Sequence, residues 1–149
     1  MELIIFIGIP ASGKSTFYMQ NFFHTHVRIN LDMLKTRNRE RRLLEYCFET
    51  KQRAVVDNTN VKKEDRADYI LQGKANQFKI VGYFFKADVR TCVERNSARA
   101  GKQQIPLVGI YSKAKQLELP SYHEGFDQIF YVNSLEEGFI VKNFIDRSM

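Results

Sequence analysis

Short apolar runs alternate with longer amphipathic stretches along the whole chain. The first run, "LIIFI" (residues 3–7), is continuous and rich in β-branched residues, the pattern of a strand buried on both faces. "STFYMQNFF" follows with helix-compatible apolar spacing. "VRIN" (27–30) reads as a short second strand, and "LDMLKTRNRERRLLEYCFETK" as a polar, then amphipathic, helical stretch. "RAVVD" (53–57) predicts a buried strand ending in a carboxylate. "KKEDRADYILQGKA" predicts a helix with Gly73 near its end, and "FKIVGYFF" (78–85) the strongest strand of the chain. "DVRTCVERNSARA" predicts a helix running into Gly101, "PLVGIYSKAKQLEL" a helix with Pro106 near its start, and "FDQIFYV" a last strand. Such β-α alternation implies an α/β fold: a mostly parallel sheet with helices on both faces. Right-handed crossovers then gather the ligand-binding loops at the carboxyl ends of the strands.

Composition narrows this only a little. At 149 residues, 44% hydrophobic and 27% charged, the chain is expected to be one globular domain spanning 1–149. A net charge of +6, from 23 Lys and Arg against 17 Asp and Glu, favours anionic partners without choosing among nucleotide, nucleic acid and anionic lipid. Cys47 and Cys92 lie in predicted helices with neither metal nor redox spacing, so reduced thiols in a cytoplasmic protein are expected. The N-terminal apolar run is too short to span a membrane, and Glu2 stands where a signal peptide would carry positive charge; no membrane association is expected.

The chemistry gathers where the strands end. "GIPASGKST" has the G-x-x-x-x-G-K-S spacing of a phosphate-binding loop, in which Gly8, Ala11, Ser12, Gly13 and Thr16 contribute backbone around a polyphosphate. Lys14 reaches the outer phosphates and the Ser15 hydroxyl ligates Mg²⁺. A glycine-rich turn can match this pattern by accident, but the strand before it and the helix after it supply the required setting. Asp32 lies just beyond the second strand, able to take a proton from an attacking hydroxyl or, alternatively, to cap a helix. Asp57, Asn58, Thr59 and Asn60 lie just beyond the third. Asp57 can organise Mg²⁺ together with Ser15, or form an Asx turn. Arg95 and Arg99 are four residues apart on one predicted helix face, either a lid over a transferring phosphoryl group or a solvated basic face. The run from Lys35 to Arg42 could line the approach of an anionic strand, or be a solvated helix face. Tyr18, Phe22, Phe23 and Tyr46 could stack on bases but have the spacing of core residues.

Taken in order, "GIPASGKSTF", "INLD", "VVDNTN", "RNSARAG", "IP" and "HEGFD" resemble the polynucleotide 5′-kinase family, which includes the kinase domain of the animal polynucleotide kinase/phosphatase and the phage-type enzyme. The resemblance runs over nearly the whole chain. It implies that Asp32 is the general base on the 5′-hydroxyl and that Arg95 and Arg99 hold ATP phosphates. Two positions depart from the family pattern. Leu31 stands where the family commonly has an arginine, and Lys35 where the phage-type pattern carries one. No phosphatase domain is matched, so 3′-end chemistry is expected of another protein.

The expected activity is therefore that of a P-loop kinase using ATP and Mg²⁺, with Lys14, Asp32 and Arg99 as catalytic groups. Asp32, Lys35, Asp57, Asn58 and Thr59 would face the acceptor, a nucleic-acid 5′ end. A small-molecule or nucleoside kinase on the same scaffold is the first alternative, and a nucleotide-binding regulatory or toxin-like module the second.

Overall fold

The first strand, β1 (Glu2–Ile7), is central because it is apolar on both sides. Leu3, Ile5 and Ile7 point to one face of the sheet, and Ile4 and Phe6 to the other. In the computed structural model, which describes residues 1–101, 104–135 and 138–144, the remaining elements arrange themselves around that strand. They are α1 (Lys14–Asn21), β2 (Val27–Ile29), α2 (Leu31–Leu34), α3 (Arg37–Thr50), β3 (Ala54–Val56), α4 (Lys63–Ala75), β4 (Lys79–Lys86), α5 (Val89–Ser97), α6 (Leu107–Gln116), a 3₁₀ turn (Tyr122–Glu124), β5 (Gln128–Leu135) and β6 (Gly138–Asn143).

The sheet order is β2-β3-β1-β4-β5-β6, with every neighbouring pair parallel except β5 and β6. Leu44, Cys47 and Phe48 of α3 and Tyr69 and Ile70 of α4 pack on the face carrying Leu3, Ile5 and Ile7. Phe17 and Tyr18 of α1 pack on the opposite face with Phe85 and Val132. The doubly covered α/β sheet expected from the alternation is present. It sets the carboxyl ends of β2, β3 and β1 side by side, so the segments beginning at Asn30, Asp57 and Gly8 converge.

A buried ion pair braces this edge. Arg66 is fully buried and forks onto Glu124, Nε donating to Oε1 at 2.9 Å and Nη2 to Oε2 at 3.1 Å. Its Nη1 donates to the Asn60 and Glu118 carbonyls at 2.9 and 3.1 Å. The glutamate of "HEGFD" is thus a structural partner that pins the segment after β3.

Four expectations are corrected. The stretch beginning at Leu31 is two helices, because Lys35 turns to φ 75 and the Thr36 side chain caps α3 by accepting from Arg39 N. The predicted last strand is followed by β6, an antiparallel edge strand. Arg99 lies beyond the end of α5, in a turn where its N–H donates to the Asn96 carbonyl at 3.1 Å. The predicted core positions also divide: Tyr18 is buried and Phe22 half-buried, while Phe23 and Tyr46 are exposed. Cys47 and Cys92 sit buried in separate core clusters, and burial pushes the Cys47 thiol up to about 11. Among the described residues, no helix is long and apolar enough to cross a membrane.

Candidate active site

The loop between β1 and α1 is shaped by close backbone approaches. A Cβ on Gly8 would come within 2.7 Å of Ser12 Oγ and 3.0 Å of Phe85 Cβ. Gly13, at φ 101, starts α1 in the left-handed region that favours glycine. Gly8 N–H donates to the Thr59 carbonyl at 2.9 Å, locking the loop to the segment after β3. Lys14 is buried, its Nζ donating to the carbonyls of Gly8 at 3.0 Å and Ile9 at 2.9 Å. Burial lowers its pKa from 10.5 to about 8, with Asp57 acting in the opposite direction.

Asn30, not Asp32, caps α2: its Oδ1 accepts from Met33 N at 2.9 Å while its Nδ2 donates to the Asp57 carbonyl at 2.6 Å. Asp32 falls in the first turn of α2 and is exposed. Its carboxylate borders a cavity of about 390 Å³ that Lys14, Ser15, Leu31, Asp57, Asn58 and Arg99 also line. Asn58 is set from both sides, accepting from Leu31 N at 2.9 Å and donating to the buried Glu40 at 3.0 Å. Glu40 in turn accepts from Tyr69 Oη at 2.6 Å and Arg37 Nη1 at 3.0 Å.

Asp57 makes no Asx turn with its carboxylate. Oδ2 accepts from Ser15 Oγ at 3.3 Å and from Arg28 Nε at 2.8 Å. A hydroxyl and a carboxylate at this separation form a hard-oxygen pair that fits Mg²⁺, which is commonly held by one or two protein oxygens plus substrate phosphates. Among the described residues no group of three or more His, Cys, Asp or Glu is placed to hold a metal, so phosphate oxygens would have to complete any such shell.

A second opening lies beside the loop, lined by Gly13, Thr16, Gln20, Arg95, Arg99, Ser134 and Phe139. Arg95 spans it, donating to the Ala11 carbonyl at 3.3 Å and to Ser134 Oγ at 2.9 Å. Although Arg99 has left the helix, it borders both this opening and the one at Asp32. A third opening joins Asp32 and Lys35 to Arg28 and Arg99.

The structure therefore brings together Gly8, Ala11, Ser12, Gly13, Lys14, Ser15, Thr16, Asp32, Asp57, Asn58, Thr59, Arg95 and Arg99, with Lys35 at the rim. Sequence reasoning missed Arg28, and also Ile105, Gly109 and Lys113, which line the Asp32 cavity from α6 and the segment before it. Gly109 and Lys113 share one face of α6 at a spacing of four, legible in principle, while Ile105 precedes the helix. Arg28 sits on a strand far in sequence from both its partners, and no spacing reveals it.

Residues 3–120 match the model of the family described as AAA domain. The bifunctional polynucleotide phosphatase/kinase of Schizosaccharomyces pombe is 25% identical over 132 residues, which cover 86% of this chain and 32% of that protein. The chain spans about a third of the length of the first two curated relatives it matches. The crystal structure of Chaetomium thermophilum Kti12 in complex with ADP-AlF3 is similar at a TM-score of 0.70 and 16% identity, covering 88% of each chain. That of a gluconokinase from Sinorhizobium meliloti 1021 is similar at 0.60 and 19%, covering 89% of this chain and 82% of that one. These two likenesses show the P-loop α/β fold, and the curated relative agrees with the resemblance carried by the motifs.

Proposed function

The chain belongs to the AAA-domain family, and from that premise we propose that it is an ATP-dependent phosphotransferase acting on the 5′-hydroxyl end of a polynucleotide, its residues 1–149 forming one kinase domain. The observation that carries this reading is the placement of Asp32, Lys14 and Asp57 around one cavity, with Asp32 relieved of helix capping by Asn30. A carboxylate there accepts the proton of the acceptor hydroxyl as its oxygen attacks the γ-phosphorus. The bond to the β–γ bridging oxygen breaks and ADP leaves. Lys14, Arg95 and Arg99 surround the loop with positive charge, offsetting what develops on the transferring group. Ser15 and Asp57 would hold Mg²⁺, which supplies further screening of the phosphate charge when bound. The named activity of the S. pombe relative supports the polynucleotide acceptor.

One observation favours a second reading. Leu31 puts an apolar side chain on the wall of the acceptor cavity, where the motif family carries a cation. That suits a small-molecule or nucleoside acceptor. Radiolabelled ATP presented with 5′-hydroxyl DNA, 5′-hydroxyl RNA and a nucleoside panel decides between them. The polynucleotide reading expects label on the oligonucleotides; nucleosides labelled with equal efficiency would replace it with the second.

A further inference from the structure

One arginine at the centre of the site has no part in the chemistry above. Arg28 Nε donates to Asp57 Oδ2 at 2.8 Å and its Nη2 donates to Ser15 Oγ at 2.9 Å. A single guanidinium therefore spans both oxygens assigned to the cation. The Asp57 side chain is 1% exposed and that of Arg28 is 26% exposed, so the carboxylate is buried while the guanidinium lines the opening that Ser15 and Asp32 share. The Tyr18 ring supports the guanidinium carbon at 5.9 Å.

We propose that Arg28 is a positioning residue that stands in for the divalent cation on Asp57 and Ser15, and that the cation displaces it on arriving with the nucleotide. The claim rests on reading Ser15 and Asp57 as cation ligands. A buried carboxylate without a counter-charge destabilises the fold, and Arg28 supplies that charge before any metal is present. The planar fork is what makes this possible, because two N–H groups reach two separate acceptors while a lysine ammonium is a point charge. The Ser15 oxygen has two lone pairs, one taken by Nη2, and its proton is directed to Asp57 at 3.3 Å. A cation coordinating these oxygens meets a positive guanidinium at contact distance. Free Mg²⁺ must overcome that repulsion unaided, whereas Mg²⁺ bound to a triphosphate brings compensating negative charge. The consequence is ordered loading: the site takes metal–nucleotide and discriminates against the bare ion.

The test compares thermal melting of the wild type, Arg28→Gln and Arg28→Lys in titrations of MgCl₂ alone, ATP with EDTA, and ATP with MgCl₂. Wild type should respond to MgCl₂ alone only at high concentration, which sets its midpoint, and rise with ATP plus MgCl₂ at low concentration. Arg28→Gln should melt lower without metal, and its midpoint for MgCl₂ alone should fall by about tenfold or more because the competing charge is gone. Arg28→Lys should lie between. An Arg28→Gln midpoint equal to or above that of the wild type overturns the inference. Should Arg28→Gln not fold, Arg28→Lys carries the test, and a midpoint unchanged from wild type overturns it. If MgCl₂ adds nothing to ATP in the wild type, the assignment of Ser15 and Asp57 fails instead, a separable result.

Discussion

Lys14 is held by its own loop, and that has a pH signature. Its folded pKa of about 8 lies below the ordinary 10.5, mainly because burial disfavours the charged form. Between those values the unfolded chain binds more protons than the folded one, so stability rises with pH across the window. Below pH 8 the penalty is fully present, about 3 kcal/mol at most for a shift from 10.5 to about 8. Lys14→Met should flatten the rise in urea midpoint between pH 8 and 10.5 and abolish turnover; an unchanged pH slope would show that the ammonium is solvated. Triphosphate restores the charged form, so ATP binding near the middle of this window should take up protons, seen as buffer-dependent heat in calorimetry. Asp32 and Asn30 make a second, opposed pair. Asp32→Asn should lower the rate by about 10²–10⁴-fold with little change in melting, because it removes a proton acceptor and no cap. Asn30→Ala should cost about 1 kcal/mol or more of stability, since it deletes the cap on Met33 and the bond to the Asp57 carbonyl. Melting lowered by the first substitution and not by the second would return the capping role to Asp32.

If Arg95 and Arg99 form a lid, it is an element-scale device. α5 and the segment leading into α6 are joined by the buried Asn96, which accepts from Ile105 N at 2.7 Å and donates to Ile105 O at 2.6 Å. This amide clamp sets Ile105, Gly109 and Lys113 along the cavity at Asp32, while Arg95 lines the opening beside the β1–α1 loop and Arg99 borders both. Asn96→Ala leaves two backbone groups unpaired and should destabilise by about 1–3 kcal/mol. It should also raise KM for ATP and acceptor together, in contrast to neutral substitutions at Arg95 and Arg99, which should lower kcat more than they raise KM. Steady-state kinetics on the three variants would show it; a pure kcat loss in Asn96→Ala would mean the clamp is irrelevant to lid position. Asn96 also marks the limit of what the sequence discloses at this scale. The strand alternation, the phosphate loop and the carboxylates after β2 and β3 are local patterns, and each is found where the pattern put it. β6 was passed over because an exposed edge strand lacks a clean inside–outside alternation, its burial falling off along its length. No glycine or proline marks the break between α2 and α3, where Lys35 adopts φ 75. Arg28, Asn96 and Arg66 take partners remote in sequence or set by the path of a loop, and spacing along the chain carries no trace of those meetings.

At the scale of the whole molecule, the excess of six positive charges is unevenly useful. α3 buries Glu40, Leu44, Cys47 and Phe48 on one side, leaving Lys35, Arg39, Arg41 and Arg42 exposed around its beginning. Arg37 differs from them. Its guanidinium is committed to the buried Glu40 and to Tyr69, which link onward to Asn58 beside Asp57. Arg37 is therefore part of the scaffold; of the other four, Lys35 lines the opening shared by Arg28 and Asp32, and Arg39, Arg41 and Arg42 follow it along the exposed start of α3. If these four meet the phosphates of a single strand, each contact releases condensed counterions, and the log–log dependence of affinity on salt should have a slope of about −0.7 per contact. Lys35→Gln and Arg42→Gln should each flatten the slope by about that amount for a 5′-hydroxyl oligonucleotide without altering ATP binding. Arg37→Gln should behave differently, lowering the melting temperature by leaving a buried carboxylate short of a cation while changing the salt slope little. Filter binding across a salt series, with melting curves on the same three proteins, separates these roles. A steep slope that persists through Lys35→Gln and Arg42→Gln would move the strand to another face, and a flat slope in the wild type would leave the acceptor without a polyanionic tail.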